Sequence, residues 1–249
     1  MTQPLRKTKI VCTMGPNLFE KGLIKPLMLA GMDVARFNFS HDTHENHLKR
    51  FKEVCRIRDE LGLPVATMLD TKGPEIRIGT FAEHRVTLDA GQLFTLTTED
   101  VEGDETRVSV TYKDLPRDVK PGCAILIDDG LVGMTVERVT DTDVCCKVNN
   151  GGTISDKKGV NIPDAHLSMP FISPKDREDI LFAIENGFDF IAASFTRNAD
   201  DIMQIRHIMA EKHCTSINII AKIENMEGVQ NIDEILRVSD AIMVARGGM

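Results

Sequence analysis

The chain has 249 residues, of which 42% are hydrophobic and 27% are charged, and this composition is that of a globular protein. Its net charge of −8 argues against a nucleic-acid-binding protein, because such proteins usually present a basic surface. No apolar run reaches the roughly 18 residues that a membrane-spanning helix needs, and the first residues lack the apolar stretch of a signal peptide, so we expect a cytoplasmic protein without a membrane partner.

The first part of the chain predicts strands that alternate with helices. In chain order, the predicted elements are a strand at 9–14, a helix at 18–30, a strand at 34–40, a helix at 43–61 and a strand at 65–70. Gly31 and Gly62 end the two helices, because glycine readily takes the left-handed conformation that follows a last helical turn. This alternation indicates a parallel α/β sheet.

The pattern then changes to short β-type segments without helical periodicity. We expect six strands here, at 85–88, 93–98, 107–112, 124–127, 132–136 and 144–148. Turn signals such as Pro121-Gly122 and Asp129-Gly130 separate them. The sequence therefore predicts a small all-β barrel domain, residues 72–167, inserted into an α/β domain that consists of 1–71 and 168–249.

After the insertion, the alternation of helix and strand resumes at Ser173. A helix start is indicated by serine at the cap, Pro174 in the first turn and Asp176 at the third position. The further elements predicted are a strand at 188–195, a helix that begins near Asn198, a strand at 218–224, a helix at 228–237 and a strand at 241–247. Six parallel strands predict an α/β fold, a (β/α)₈ barrel that is incomplete in this chain.

The stretch 218–225 ends an apolar run with a lysine and a carboxylate two residues apart. Lys222 and Glu224 would project from the same face of a strand. Burying both charges costs several kcal/mol unless they are paired or bind a charged ligand. One interpretation is a structural ion pair, and the other is a metal-binding Glu224 beside a lysine that stabilises a developing negative charge.

Polar residues also follow the apolar part of the other predicted strands. They are Thr13, Arg36, Asn38, Ser40, Asp70, Thr71 and Arg246-Gly247. Each one alone has a structural explanation, such as a helix cap for Asn38 or a turn for Asp70. Together they lie where (β/α)₈ barrels carry their active sites, at the carboxyl ends of the strands. We therefore interpret them as one functional site.

Seven segments of the chain resemble pyruvate kinases, in the order and spacing of that family. They are 9–16, 36–41, 70–77, 128–130, 157–163, 221–225 and 243–247, and the Asp-Thr-Lys-Gly-Pro-Glu-Ile-Arg block at 70–77 is highly specific. The resemblance covers essentially the whole chain. It implies phosphoryl transfer between phosphoenolpyruvate and ADP in glycolysis, giving pyruvate and ATP. It also implies Mg²⁺ (or Mn²⁺) and K⁺ as cofactors and a homotetramer.

The resemblance further implies a role for each matching residue. Lys222 would stabilise the enolate, Arg36 would meet the transferring phosphoryl group, and the backbone of Gly247 would touch the substrate carboxylate. Glu224 would be a magnesium ligand. The remaining residues would be the potassium ligands Asn38, Ser40, Asp70 and Thr71, and the nucleotide contacts Asn38, His41, Arg77 and Lys158. The inserted domain would close over the nucleotide as a lid.

Two positions depart from the family's pattern. Gly248 stands where the family has an aspartate that is the second magnesium ligand, and Asp42 stands where it usually has a glycine, beside the phosphoryl site. We expect Asp42 to lower the affinity for an anion. The family's last two barrel strands, a substrate-binding threonine and its C-terminal domain have no counterpart in these residues. We therefore expect the N-terminal part of a pyruvate kinase, with little or no activity on its own.

Two other functions stay open on the sequence. The chain would be an inactive fragment if it bound nucleotide or a partner without turnover. It would be another barrel enzyme, such as an aldolase that forms a Schiff base with Lys222, if borohydride trapped a substrate adduct on that lysine.

Overall fold

The computed structural model describes residues 6–163 and 165–244, which belong to two compact units. The first unit contains the chain up to Gly73 together with Ile172–Lys222 and Asp233–Met243. The second contains chiefly Pro74–Phe171 and Ile223–Ile232. The domain limits expected from the sequence, 72 and 167, stay a prediction. Among the described helices, none has the length and apolarity that crossing a bilayer requires.

Strands and helices alternate from the start of the first unit. They are β1 (Val11–Thr13), α1 (Pro16–Glu20), α2 (Ile24–Ala30), β2 (Val34–Asn38), α3 (His44–Leu61) and β3 (Ala66–Asp70). The single helix predicted over 18–30 is wrong, because the chain turns at Gly22 with a φ of +64°, which separates α1 from α2. Helix α3 agrees with its prediction: Thr43 caps its start and Gly62 follows its last turn.

The second unit is built almost entirely of short strands. The strands are β4 (Ile76–Arg77), β5 (Arg85–Leu88), β6 (Leu93–Thr97), β7 (Arg107–Ser109), β8 (Ala124–Ile127), β9 (Val132–Val139), β10 (Asp143–Val148), β11 (Gly152–Ser155) and β12 (Gly159–Asn161). One short helix, α4 (Leu115–Asp118), lies between β7 and β8. All six predicted strands are present. The sequence missed β4, β11, β12 and the helix α4, because segments of two to four residues are too short to show a period.

The chain then returns to alternating helices and strands. These are α5 (Pro174–Asn186), β13 (Phe190–Ala193), α6 (Ala199–Glu211), β14 (Asn218–Ile223), α7 (Met226–Gln230), α8 (Ile232–Val238) and β15 (Ala241–Val244). The predicted capping box of Ser173 and Asp176 is confirmed at the start of α5. The single helix predicted over 228–237 is wrong, because Asn231 separates α7 from α8. The predicted continuation of the last strand to 247 lies outside the described residues.

Six strands of the first part and the last part of the chain form one sheet in the order β1-β2-β3-β13-β14-β15. The pairs β1–β2, β2–β3, β3–β13 and β13–β14 are parallel. Strands that are consecutive along the α/β part of the chain are therefore neighbours in the sheet, as they are in a (β/α)₈ barrel. The predicted fold class, an incomplete barrel of this type with an inserted β-domain, is confirmed.

One face of this sheet changes from apolar to polar along the strands. Met68, Ala192 and Ile220 pack together on it with Val34 and Phe190. Arg36 on β2, Asp70 on β3 and Lys222 on β14 each come two residues after one of these apolar residues on the same strand. Their side chains therefore lie on the same face. The polar layer is thus placed at the carboxyl ends by the alternation of side chains alone.

Aromatic side chains cover the opposite face. The ring of Phe37 on β2 lies 6.1 Å from that of Phe51 on α3 and 5.6 Å from that of Phe188. Phe39 lies 5.5 Å from Phe182 on α5. Burying a side chain of this size contributes about 1.5–3 kcal/mol. This packing fixes the helices behind the strands that carry the polar layer.

The larger sheet of the second unit closes on itself. Its strand order is β4-β12-β8-β9-β10-β6-β7. The two outer strands meet where Thr111 N donates to the Arg77 carbonyl at 2.9 Å and where Ile78 forms a β-bridge with Val110. Closure satisfies backbone groups that an open edge would expose. The predicted small β-barrel is therefore confirmed.

Candidate functional site

A buried carboxylate, Asp70, is the centre of the polar layer. It is 1% exposed. Its Oδ2 accepts a hydrogen bond from Arg36 Nε at 2.6 Å, and its Oδ1 accepts from Lys222 Nζ at 3.1 Å and from Ser194 Oγ at 2.9 Å. Two cations from different strands therefore share one carboxylate. This pairing offsets part of the free-energy cost of removing the three charges from water.

The two cations differ in how far they reach solvent. The side chain of Arg36 is 23% exposed, and its Nη1 donates to Thr13 Oγ1 at 2.7 Å, which orients the guanidinium from a second strand. The side chain of Lys222 is 10% exposed. An anion that enters this face from solvent would meet the guanidinium at the rim and the ammonium beneath it, an arrangement suited to oxygen atoms that carry or develop negative charge.

Oxygen-bearing side chains lie next to these charges at the ends of β2 and β3. Asn38 and Asp70 are opposite each other in the register of the two strands. The Asn38 Oδ1 atom accepts from Ser40 N at 3.0 Å, which turns the chain after β2. Thr71 is 4% exposed, and its Oγ1 donates to the Ala192 carbonyl at 3.3 Å. The four oxygen donors predicted from the sequence thus lie on two neighbouring strand ends.

The loop after β2 is anchored by His47 on α3. Its Nε2 donates to the His41 carbonyl at 2.8 Å, and its ring stacks on Phe39 with 4.1 Å between centroids. Burial lowers the pKa of His47, which favours the neutral ring. Because a carbonyl oxygen only accepts, its contact with Nε2 places a proton on that nitrogen. The contacts of His47 on α3 therefore fix the position of the segment that carries Ser40 and His41.

Asp42 is tied to the same helix. Its backbone has a φ of +72°, a conformation that glycine adopts more easily. Its carboxylate accepts from Asn46 Nδ2 at 2.7 Å, from Thr43 N at 2.8 Å and from Arg50. These bonds, that of Asn46 first, lower the pKa of Asp42 to about 2. The charge expected to repel an anion is thus paired with a guanidinium on α3.

The turn after β3 requires a glycine. Gly73 has a φ of +67°, and a Cβ atom at this position would lie 2.5 Å from the Ser194 carbonyl oxygen. Its backbone N–H donates to Asp176 Oδ1 at 3.0 Å. Because Asp176 also caps α5, the chain that leaves the polar layer is fixed against both β13 and α5. Thr71 and Asp70 keep their positions as a result.

Two predicted nucleotide contacts, Arg77 and Lys158, lie in the second unit. Arg77 on β4 is the register partner of Gly159, the residue after Lys158. Arg77 pairs with Glu75 at 2.5 Å, and Lys158 pairs with Asp128 at 2.9 Å. Both cations have side chains 36% exposed. A phosphate that binds either cation would have to share it with its carboxylate or displace that carboxylate.

Two further residues were predicted from the sequence as site residues. Glu224 directly follows β14 and is half-buried, whereas Gly247 lies outside the described residues. In the described part of the chain, no group of three or more His, Cys, Asp or Glu side chains is arranged to hold a metal ion. Lys222 forms an ion pair with Asp70, a partner 152 positions away in the sequence that the local pattern did not suggest.

The sequence reasoning missed Ser194. This residue is 2% exposed and contacts both Asp70 and Lys222. A signal was present, since Phe190, Ala192 and Ser194 are spaced by two and therefore share the face that carries the polar layer. In the sequence alone, the serine reads as part of the apolar strand predicted at 188–195.

The chain is similar to known proteins over nearly its whole length. Residues 5–249 match the family described as "Pyruvate kinase, barrel domain". The chain is 46% identical over 246 residues to a pyruvate kinase of Clostridium acetobutylicum, covering 98% of this chain and 52% of that protein. It is 46% identical over 247 residues to one of Staphylococcus haemolyticus, covering 98% of this chain and 42% of that protein.

A solved structure is similar as well. The crystal structure of a pyruvate kinase from Cryptosporidium parvum matches with a TM-score of 0.89 at 40% identity, covering 98% of this chain and 51% of the other. The chain thus spans about half the length of these relatives.

Proposed function

The chain belongs to the pyruvate kinase family, and from this membership we propose that it contributes most of the barrel, and the inserted β-domain, of an enzyme that transfers a phosphoryl group between phosphoenolpyruvate and ADP. The observation that carries the proposal is the pair of cations, Arg36 and Lys222, around the buried Asp70. Phosphoryl transfer depends on positioned cations more than on covalent chemistry. Family membership leaves the Schiff-base aldolase without support.

The proposed roles follow the exposure of the two cations. Arg36, at the rim, binds the transferring phosphoryl group. Lys222, beneath it, stabilises the enolate of pyruvate through its ammonium group. Both charges are held in place by Asp70 before substrate arrives, so little reorganisation is needed during the reaction. The backbone of Gly247 is proposed to touch the substrate carboxylate, as the family resemblance implies.

A monovalent cation, K⁺, fits the oxygen donors at the ends of β2 and β3. The proposed ligands are Asn38, Ser40, Asp70 and Thr71. Amide, hydroxyl and carboxylate oxygens are hard ligands suited to such an ion, and the register brings Asn38 and Asp70 opposite each other. When bound, the ion would add positive charge beside the phosphoryl group. The chain's part is to hold these oxygens still through the Ser40–Asn38 hydrogen bond and the Thr71 hydroxyl.

A divalent cation, Mg²⁺ or Mn²⁺, is proposed to bind Glu224. One carboxylate fits the usual way that Mg²⁺ binds phosphate substrates, with few protein ligands and several oxygens from substrate and water. Bound there, the ion would neutralise charge on the reacting oxygens. The resemblance assigns two carboxylate positions to this ion, Glu224 and position 248. Because position 248 is a glycine, Glu224 is the one carboxylate of this pair that the chain supplies.

The nucleotide phosphates are proposed to contact Arg77 and Lys158, with Asn38 and His41 as further contacts. The support is that both cations lie where β4 pairs with β12, with Arg77 opposite Gly159 and Lys158 directly before that glycine. The boundaries of the inserted lid, 72–167, are proposed on the same family resemblance, as are a homotetramer and a cytoplasmic location for the complete enzyme.

The proposed function is tested by a coupled assay for pyruvate formed from phosphoenolpyruvate and ADP. We would use the natural full-length chain where this sequence is part of one, and residues 1–249 beside it. Pyruvate formation by the full-length chain supports the proposal. Nucleotide binding without turnover in the full-length chain would favour the non-enzymatic alternative.

Both kinds of cation should be required for turnover. In buffer with Mg²⁺ but with tetramethylammonium in place of K⁺ and Na⁺, we expect activity to fall strongly, because the oxygens of Asn38, Ser40, Asp70 and Thr71 would lack their ion. Chelation of the divalent ion should abolish activity. Full activity without K⁺ and Na⁺ would contradict the monovalent site.

Arg50→Met should weaken the binding of phosphoenolpyruvate. The substitution leaves the charge of Asp42 uncompensated near the proposed phosphoryl site, and an exposed unit charge changes anion binding by up to about 1 kcal/mol, a severalfold rise in KM. The double variant Asp42→Asn with Arg50→Met should restore KM, because asparagine tolerates the positive φ and carries no charge. An unchanged KM in the single variant would show that the charge of Asp42 does not reach the substrate.

A further inference from the structure

Ser194 makes contacts on three sides of its hydroxyl group. The residue directly follows β13 and is 2% exposed. Its Oγ lies 2.8 Å from Lys222 Nζ, 2.9 Å from Asp70 Oδ1 and 2.6 Å from the Thr71 carbonyl oxygen. Since an ammonium only donates, the serine oxygen accepts from Lys222 and gives its single proton to Asp70 or to Thr71.

The position of this oxygen is fixed by the backbone around it. Ser194 N donates to Thr71 Oγ1 at 3.2 Å, and Gly73 packs so closely on the Ser194 carbonyl that even a methyl group would not fit. The hydroxyl is therefore a rigid acceptor that is attached to two neighbouring strands. In contrast, the lysine stem that ends at Nζ has four rotatable bonds of its own.

We infer that Ser194 is a positioning residue for phosphoryl transfer, which aims the Lys222 ammonium and holds the Asp70 carboxylate between its two cations. This inference rests on the proposed function. Ser194 Oγ and Asp70 Oδ1 contact the ammonium at 2.8 and 3.1 Å, and replacing the serine by alanine removes the shorter of these two contacts. Misplacing a catalytic group by about 1 Å can reduce the rate by a factor of about 10².

Ser194→Ala in the natural full-length chain tests the inference. We expect kcat to fall by a factor of about 10–100, with KM for phosphoenolpyruvate changed by less than about threefold, because the substrate's contacts remain and only the aim of Lys222 is lost. The matched control is Thr67→Val, which removes another buried hydroxyl between β3 and β13. Its Oγ1 donates to Asp189 Oδ2 at 2.9 Å, at the opposite end of the sheet. The control should change kcat by less than threefold.

A second measurement does not depend on activity. The rate at which 2,4,6-trinitrobenzenesulfonate modifies Lys222, followed by mass spectrometry of its peptide, should rise in Ser194→Ala and stay unchanged in Thr67→Val. Ser194→Thr, which keeps the hydroxyl, should recover both the labelling rate and, where it folds, part of kcat. Thermal unfolding of each variant separates these effects from a loss of structure.

The outcomes separate the inference from the proposed function. If the wild-type enzyme makes no pyruvate, the proposed function fails, and unchanged labelling of Lys222 in Ser194→Ala would then overturn the positioning role as well. If the wild-type enzyme is active and Ser194→Ala behaves like Thr67→Val in both measurements, only the inference is overturned. A KM effect without a kcat effect would also overturn it, because it would assign Ser194 to substrate binding.

Discussion

Lys222→Met in the natural full-length chain is expected to lower phosphoryl transfer by a factor of about 10²–10³ or more, because it removes a preorganised charge beside a developing oxyanion. Methionine keeps much of the lysine stem, and Asp70 keeps its bonds to Arg36 and Ser194, so the fold should remain intact. The loss should appear in kcat. Binding of phosphoenolpyruvate, which Arg36 and the cations also favour, should change much less.

Lys49→Met is the matched control. That lysine pairs with Glu45 on the surface of α3, and both side chains are at least 70% exposed. Its removal should leave activity within a factor of about two, as expected for an exposed pair. A Lys222→Met variant that keeps more than a tenth of the wild-type activity would contradict the proposed role of this lysine.

The strands of the fold were predictable, but some breaks and short segments were not. Val34 to Asn38 reads as a strand because apolar residues continue along one face of it, and Ala66 to Asp70 reads as a strand because its apolar residues continue nearly to the carboxyl end. The turn at Gly22 was hidden, because the apolar residues before and after it continue a helical spacing. The three missed strands of the second unit have only two to four residues, and they form because partner strands elsewhere in the sequence pair with them.

The placement of the site could be predicted, but not its internal pairing. The side-chain period of two puts Arg36, Asp70 and Lys222 on one face, and the strand order brings them near each other. No sequence pattern states that Asp70 joins two cations, because that depends on how far each strand is shifted against the next. The same geometry makes Ser194 a contact of both Asp70 and Lys222. Prediction therefore reached the residues that carry charge and missed the neutral one between them.

Asp70→Leu in the 249-residue chain should destabilise the first unit by about 3 kcal/mol, the lower part of the range for removing one partner of a buried pair. Leucine removes the carboxylate from both cations, and the hydrogen bonds of Lys222 to Ser194 and of Arg36 to Thr13 do not replace its negative charge. The lower part of the range applies because Arg36 is 23% exposed and can be hydrated in part. Glu60→Gln is the control: its pair with Lys25 is nearly half-exposed on both sides, so the change should stay within about 1 kcal/mol.

The chain itself offers a way to measure the two units separately. It contains no tryptophan and a single tyrosine, Tyr112, which lies in the second unit. Helices α3, α5 and α6 lie in the first unit, so far-ultraviolet circular dichroism during urea unfolding reports mainly on that unit. Asp70→Leu should shift the circular dichroism transition to lower urea and leave the tyrosine fluorescence transition in place. If both transitions moved together, the two units would unfold as one. An unmoved circular dichroism transition would contradict the idea that Asp70 holds the two cations in the fold, because their charges would then be stable without it.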